Sequence, residues 1–217
     1  MQVNNNLQPI FLDNHVLVLD KPAGLLTQDS GSGQKNLEDL AKAWLKQHFQ
    51  RPGAVFLHAV HRIDRAACGL VLFARTSKAL SRLNASLRAG QQQKVYRVRV
   101  EGKPALNEAR LEDYLVHGRF RAKQAEAGQD RARLASLSYK LLANDSGQSL
   151  LEVHLETGRY HQIRAQLAAM GHPILGDRKY GSKHQWPGNG IALQHYQLGF
   201  LHPVRQEMVY VQSRMLI

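Results

Sequence analysis

The segment KVYRVRVEG, residues 94–102, alternates strictly: Tyr96, Val98 and Val100 share one face of an extended chain, and Arg97 and Arg99 share the other. That period-2 pattern specifies a half-buried strand, with Tyr96 directed alongside the apolar set. Further strand-like runs surround it. They are 15–19 in HVLVLDKPAGLLTQ, GLVLFAR, ASLSYKLLA, SLLEVHLET, and the stretches around IALQHYQL and EMVYVQS. Helical patterns are fewer. Residues 36–49 offer Asn36 as N-cap, Glu38 and Asp39 in the first turn, and an apolar stripe of Leu37, Leu40, Ala41, Trp44 and Leu45. Residues 76–90 offer Thr76 as cap, Leu80, Leu83 and Leu87 as stripe and Gly90 as stop. In TGRYHQIRAQLAAMGHP, the spacing of Ile163, Leu167 and Met170 predicts a helix that opens near Gly158 and ends at Gly171. Strands thus outnumber three or four helices without regular strand–helix alternation. The expected class is α+β, built on a mixed sheet rather than a doubly wound parallel one.

A chain of 217 residues can bury a core without staples, and its single cysteine, Cys68, cannot form an intramolecular disulfide. The N-terminal MQVNNNLQPIF lacks the basic start and apolar run of a signal peptide, and no apolar stretch is long enough to span a membrane. A soluble, cytoplasmic protein with no membrane partner is expected. The charge is more selective. Lys and Arg total 29 against 17 Asp and Glu, a formal net charge of +12. Such an excess draws in polyanions, with nucleic acid first among them, although a merely basic soluble surface has the same composition. Residues 118–133, GRFRAKQAEAGQDRAR, concentrate Arg119, Arg121, Lys123, Arg131 and Arg133 without periodicity, which predicts a mobile basic loop.

Three stretches are polar, rich in Gly or Pro and framed by core-like runs: KPAGLLTQ, HRIDRAACG, and TGRYHQIR with its continuation GHPILGDRKYG. In the second, Asp64 is flanked by Arg62 and Arg65. A carboxylate in a basic setting stays ionised and can serve as a nucleophile, whereas the plainer reading is a turn cap or surface ion pair. His58 and His61 lack the neighbouring carboxylate or thiolate spacing of a metal site, so no metal is expected, and no P-loop, dinucleotide fingerprint or serine elbow is present. Backbone N–H groups near Gly158, together with Arg159, suit an anion, either a phosphate or the Asp64 carboxylate. His161 and Arg164, three apart, fall on one helix face, and Arg164 is the better partner for a buried acid.

HRIDRAACGLVLFART resembles the HRLD-containing catalytic motif of the RluA family of pseudouridine synthases. LDKPAGLLTQ resembles that family's N-terminal motif, KVYRVRVEG its tyrosine-bearing strand, TGRYHQIRAQLAAMGHPILGDRKYG its C-terminal motif, and IALQHYQLGFLHP its His-Pro ending. The resemblance runs in order from about residue 10 to the C-terminus. It implies a mixed, largely antiparallel sheet in two subdomains around a central catalytic cleft, the pseudouridine synthase fold, with no metal or organic cofactor. It also implies isomerisation of uridine in RNA, ribosomal or transfer. Asp64 falls on the essential aspartate, Tyr96 on the residue that stacks on the uracil, Ile163 on an apolar pocket wall and Arg164 on the basic partner of the aspartate. Arg62 falls on the arginine that holds flipped-out RNA, while Arg119, Arg121, Lys123 and Arg159 are expected on the RNA backbone. The chain departs from the pattern at Ala67-Cys68, where relatives carry Thr-Ser, so any hydroxyl hydrogen bond there is lost or replaced by a weak thiol one. Residues 1–217 are expected to form one catalytic domain, monomeric, without a separate N-terminal RNA-binding domain. The rival expectations are an RNA-binding or RNA-chaperone module without turnover and a nucleoside- or glycoside-hydrolysing enzyme.

Overall fold

Near-continuous apolar runs make strands buried on both faces, and two such runs organise the first half of the chain. The computed structural model describes residues 7–217. In chain order the first elements are β1 (Phe11–Leu12), β2 (Val16–Lys21), α1 (Leu37–His48), β3 (His58–Ala59), β4 (Cys68–Ala74) and α2 (Ser77–Arg88). They are followed by β5 (Gln93–Glu101), β6 (Glu108–His117), β7 (Ala122–Ala125), β8 (Arg133–Asp145) and β9 (Gln148–Leu155). The last are α3 (Gln162–Ala169), a 3-10 turn (Arg178–Tyr180), β10 (Leu193–Leu201) and β11 (Met208–Gln212). Two compact units result, one holding the described residues up to Gln92 with Tyr196–Leu216, the other Gln93–His195.

In the first unit β2 and β4 pair antiparallel, Val18 opposite Leu72 and Lys21 opposite Gly69. Even-numbered Val16, Val18, Leu70 and Leu72 pack with Ala79 and Leu83 of α2 and with Leu198 and Phe200 of β10. Odd-numbered Leu17, Leu19, Val71 and Phe73 pack with Leu37, Ala41 and Leu45 of α1. Period-2 alternation therefore serves two cores at once, which is why both strands read as unbroken apolar runs. The predicted caps form: Asn36 Oδ1 accepts from Asp39 N–H at 2.9 Å, and Thr76 Oγ1 from Ala79 N–H at 3.1 Å. The His-Pro ending fastens the β10–β11 hairpin to the start of the chain. Buried His202 accepts the N–H groups of Val204 and Arg205 at Nδ1, so its Nε2 carries the proton and donates to Asp13 Oδ2 at 2.7 Å. Burial acts to raise the Asp13 pKa, but hydrogen bonds from His15 N–H, His202 and Val16 N–H outweigh it and hold the carboxyl below its ordinary range.

The second unit carries an antiparallel sheet in the order β5-β9-β8-β6-β7. Tyr96, Val98 and Val100 of β5 are buried as the alternation predicts. Segment 118–133 departs from expectation. Instead of one mobile loop, β7 folds back on β6 with His117 opposite Ala122 and Tyr114 opposite Ala125, and Gly118 N–H bonds Arg121 C=O at 3.0 Å. A Cβ on Gly118 would lie 2.7 Å from that carbonyl oxygen, so the turn requires glycine. The strand was illegible because AKQA buries only Ala122 fully and has no apolar alternation. α3 also begins later than predicted, at Gln162. Gln162 Oε1 accepts from Arg159 N–H and Thr157 Oγ1, which holds 157–161 in a turn, and His161 at φ 53° precedes the helix in a left-handed conformation. Gly158 is therefore not at a helix N-terminus.

Phe73 is wholly buried between β4 and α1. Replacing it with alanine is expected to cost about 3–5 kcal/mol through lost burial and residual cavity, read as a lowered urea midpoint with an unchanged slope.

Candidate active site

In the first unit the HRID residues alternate as a short extended run: Ile63 is buried in the α1-side core, Arg62 is exposed and Asp64 is half-buried. Asp64 then heads a tight turn, its C=O accepting from Ala67 N–H at 3.1 Å. The turn is fixed from below by Lys21, the last residue of β2, which is fully buried. Lys21 Nζ donates to the carbonyls of Ala67 at 2.8 Å, Leu25 at 2.8 Å, Pro22 at 3.0 Å and Arg65 at 3.3 Å. One ammonium thus holds together the KPAG turn and the HRID turn. Backbone and side-chain bonds complete the join: Gly24 N–H to Arg65 C=O at 2.7 Å, Arg65 Nε to Gly24 C=O at 2.9 Å, and Thr27 Oγ1 to Ile63 C=O at 3.2 Å. His61 Nε2 accepts from Leu72 N–H at 3.2 Å and so anchors the motif to β4.

Burial lowers the Lys21 pKa from 10.5 to about 8; the electrostatic influence of Cys68 and Asp64 opposes the fall and Arg65 adds to it. Burial likewise raises the Cys68 thiol, with Lys21 pulling it back. At Ala67-Cys68, Ala67 contributes its carbonyl, which needs no particular side chain. Lys21 went unassigned in the sequence reading. Its signal was a cation at the end of an otherwise apolar strand, directly before Pro-Ala-Gly.

In the second unit Tyr96, Ile163 and Arg164 are all buried. His195 stacks on Tyr96 with ring centroids 4.6 Å apart and planes 14° from parallel, which sets the tyrosine ring. Arg164, in the first turn of α3, makes a forked ion pair with Asp177: Nε to Oδ2 at 2.7 Å and Nη2 to Oδ1 at 2.9 Å. Its Nη1 donates to His161 Nε2 at 2.8 Å, and its guanidinium carbon lies 5.0 Å from the centre of the Tyr180 ring. Asp177 and His195 carried no role in the sequence reading, although Asp177 stands in the GHPILGDRKYG stretch. The predicted RNA-backbone cations are exposed. Arg119 covers Phe120 at 5.0 Å, Arg121 donates to Lys179 C=O at 3.2 Å, Lys123 lies on β7, and Arg159 Nε donates to Leu134 C=O at 2.9 Å. Among the described residues no group of three or more His, Cys, Asp or Glu is placed to hold a metal, and no helix is long and apolar enough to cross a membrane.

Residues 15–169 match the family model described as RNA pseudouridylate synthase. A Bacillus subtilis protein, uncharacterized RNA pseudouridine synthase YhcT, is 31% identical over 213 residues, spanning 95% of this chain and 68% of that protein. Ribosomal large subunit pseudouridine synthase D of Zymomonas mobilis is 31% identical over 229 residues, 96% of this chain and 69% of that protein. The fold matches human RNA pseudouridylate synthase domain containing 4 with a TM-score of 0.80 at 20% identity, covering 96% of this chain and 88% of that one. The chain belongs to the RNA pseudouridylate synthase family, in its RluA branch. It is an RNA pseudouridine synthase, an isomerase.

Lys21→Met leaves inward-facing carbonyls without a donor. A loss of kcat/KM of about tenfold or more and a lowered melting temperature are expected. The wild type should show an alkaline fall in kcat/KM near pH 8, where the folded ammonium loses its proton. The stability sign is opposite: between about pH 8 and 10.5 the unfolded chain binds more protons, so this group's contribution to stability rises with pH. Activity and melting temperature measured over the same pH range separate the two effects.

Proposed function

We propose that the chain isomerises uridine in structured RNA with Asp64 as the reacting carboxylate. The observation that carries this reading is the turn that presents Asp64, held by the buried Lys21 ammonium. Uracil in folded RNA is stacked, so the target nucleotide must be extruded, and Tyr96 and Ile163 supply aromatic and apolar surface for it. By its place in the TGRYHQIR motif, Arg164 is assigned as the basic partner of Asp64 in the working enzyme, and Arg62, exposed two residues before Asp64, is assigned to hold the RNA in the flipped state. The bond from uracil N1 to ribose C1′ breaks, the base turns, and C5 bonds to C1′. N1 gains a proton and C5 loses its own, which balances the reaction without a cofactor. An ionised carboxylate can start this by attacking C1′, by adding to C6, or by removing a ribose proton to form a glycal. All three routes release the C5 hydrogen to solvent.

The substrate reading is ribosomal RNA. It is supported by relatives named as ribosomal large subunit pseudouridine synthases, against transfer RNA as the second option. The working form is a monomer in the cytoplasm, with residues 1–217 acting as one catalytic domain.

RNA tritiated at uridine C5 should release tritium with the wild type and not with Asp64→Ala, while RNA binding survives the substitution. Release by the variant at the wild-type rate would remove Asp64 from the chemistry, binding without release by the wild type would favour an RNA-chaperone module, and free uracil among the products would favour hydrolysis. Contacts from Arg119, Arg121, Lys123 and Arg159 predict a slope of log K against log salt of about −3 on single-stranded RNA, flattened by about two units in the triple alanine variant of the hairpin cations.

A further inference from the structure

The hairpin that carries the basic residues and the arginine of the second unit are joined by a continuous chain of contacts. Its centre is His161. Arginine has only donors, so the 2.8 Å contact between Arg164 Nη1 and His161 Nε2 requires a lone pair on Nε2. The neutral ring therefore carries its proton on Nδ1, which donates to the Tyr180 hydroxyl at 3.1 Å. That hydroxyl also accepts Ala122 N–H at 2.8 Å and donates to Ala122 C=O at 3.3 Å. A second route reaches the same imidazole. His161 stacks on Tyr160 at 3.9 Å, and Tyr160 packs on His117 at 4.1 Å. His117 and Ala122 face each other as the pair that closes the β6–β7 hairpin. Both of its members thus lead to His161. The 3-10 turn closes the circuit: Asp177, which forks Arg164, precedes it, Tyr180 ends it, and Tyr180 N–H bonds Asp177 C=O at 2.9 Å.

The backbone of His161 fits a special role. At φ 53° it occupies the left-handed region, which is uncommon for a residue with a side chain. A mere helix start would be met as well by asparagine or glycine. The imidazole is buried and engaged on both nitrogens and a ring face, so its identity is what the site uses.

We propose that His161 is a positioning residue: its neutral ring, protonated on Nδ1, transmits the placement of the RNA-bearing β6–β7 hairpin to the guanidinium of Arg164. RNA phosphates on Arg119, Arg121 and Lys123 steady the hairpin, the closing pair steadies Tyr180 and Tyr160, and these fix His161. Arg164 then has one orientation when RNA is docked. This rests on the reading of Arg164 as the basic partner of Asp64 and of the hairpin as an RNA surface.

The test compares His161→Leu, His161→Gln and Tyr180→Phe for kcat and KM in tritium release, with melting temperatures alongside. A hydrogen bond to a charged group is worth enough that His161→Leu should lower kcat by about 10- to 100-fold while KM stays within about threefold. Glutamine keeps an acceptor for Arg164 and a donor for Tyr180, so His161→Gln should recover most of that loss. Tyr180→Phe should lower kcat by several-fold, about fivefold, and add little on top of His161→Leu, because both cut one chain. In the ¹⁵N-labelled protein, His161 should show the Nδ1–H tautomer, as His61 and His172 do by their own hydrogen bonds, and only its signal should vanish in His161→Gln. Wild-type kcat in His161→Leu, a loss confined to KM, or a glutamine variant as inactive as leucine at equal melting temperature would each overturn the proposal. If Asp64→Ala is inactive while His161→Leu is not, only the positioning role fails; if Asp64→Ala turns over, the reading of the site beneath it fails.

Discussion

The buried ammonium of Lys21 is the constraint on which the first unit's site depends. Four carbonyl oxygens from two sequence-distant turns converge on one Nζ. Lysine suits this because an ammonium is compact and offers three rotatable donors, whereas a guanidinium would impose a planar fork on a crowded, curved set of acceptors. Backbone carbonyls are the right partners for the same reason that the motif tolerates Ala67-Cys68. What Lys21 reads is main chain, so the side chains flanking Gly69 can vary while the turn that carries Asp64 keeps its shape.

The sheet explains why Lys21 is there at all. In β2, Leu17, Leu19 and Lys21 share the face that packs against α1, and Ile63 of the motif sinks into the same core. Period-2 geometry therefore delivers the ammonium to the side of the sheet where the HRID turn lies. Gly69 sits opposite Lys21 in the pairing and has φ 108°, so no side chain competes for that space and the backbone can turn sharply into β4. The two apolar runs that made β2 and β4 legible are also what place the polar residue between them.

Legibility followed the range of the interactions. β5 was readable because alternation is local, and α1 and α2 because Asn36 and Thr76 announce their own caps. β7 was not, since AKQA is stabilised by its pairing with β6 and by the Tyr180 hydroxyl, 58 residues away. The delayed start of α3 was hidden for a similar reason: Gln162 looks like a helix residue and acts as the clasp of the preceding turn. Of the candidate residues, Asp64 in the first unit and Tyr96, Ile163 and Arg164 in the second stood out by motif. Lys21, Asp177 and His195 acquire meaning only once distant segments meet, because nothing in their immediate neighbours requires a buried cation, a forked carboxylate or a stacked imidazole.

The two buried cations illustrate two solutions to the cost of removing charge from water. Arg164 is held by Asp177 in a fork, and the value of the pair lies in direction: Nε and Nη2 face the carboxylate, and Nη1 reaches His161. Lys21 has no such counter-ion among its hydrogen-bond partners, and its pKa falls in consequence. Cys68 first and then Asp64 oppose that fall, which makes the carboxylate part of the electrostatic balance around the clamp. A substitution at Asp64 therefore removes more than the carboxylate proposed to react. It withdraws charge that favours the ammonium beneath it, and Asp64→Asn, which keeps the shape and loses the charge, withdraws it as fully as alanine does, so equal melting temperatures in the two variants would assign the support of the turn to charge rather than to shape.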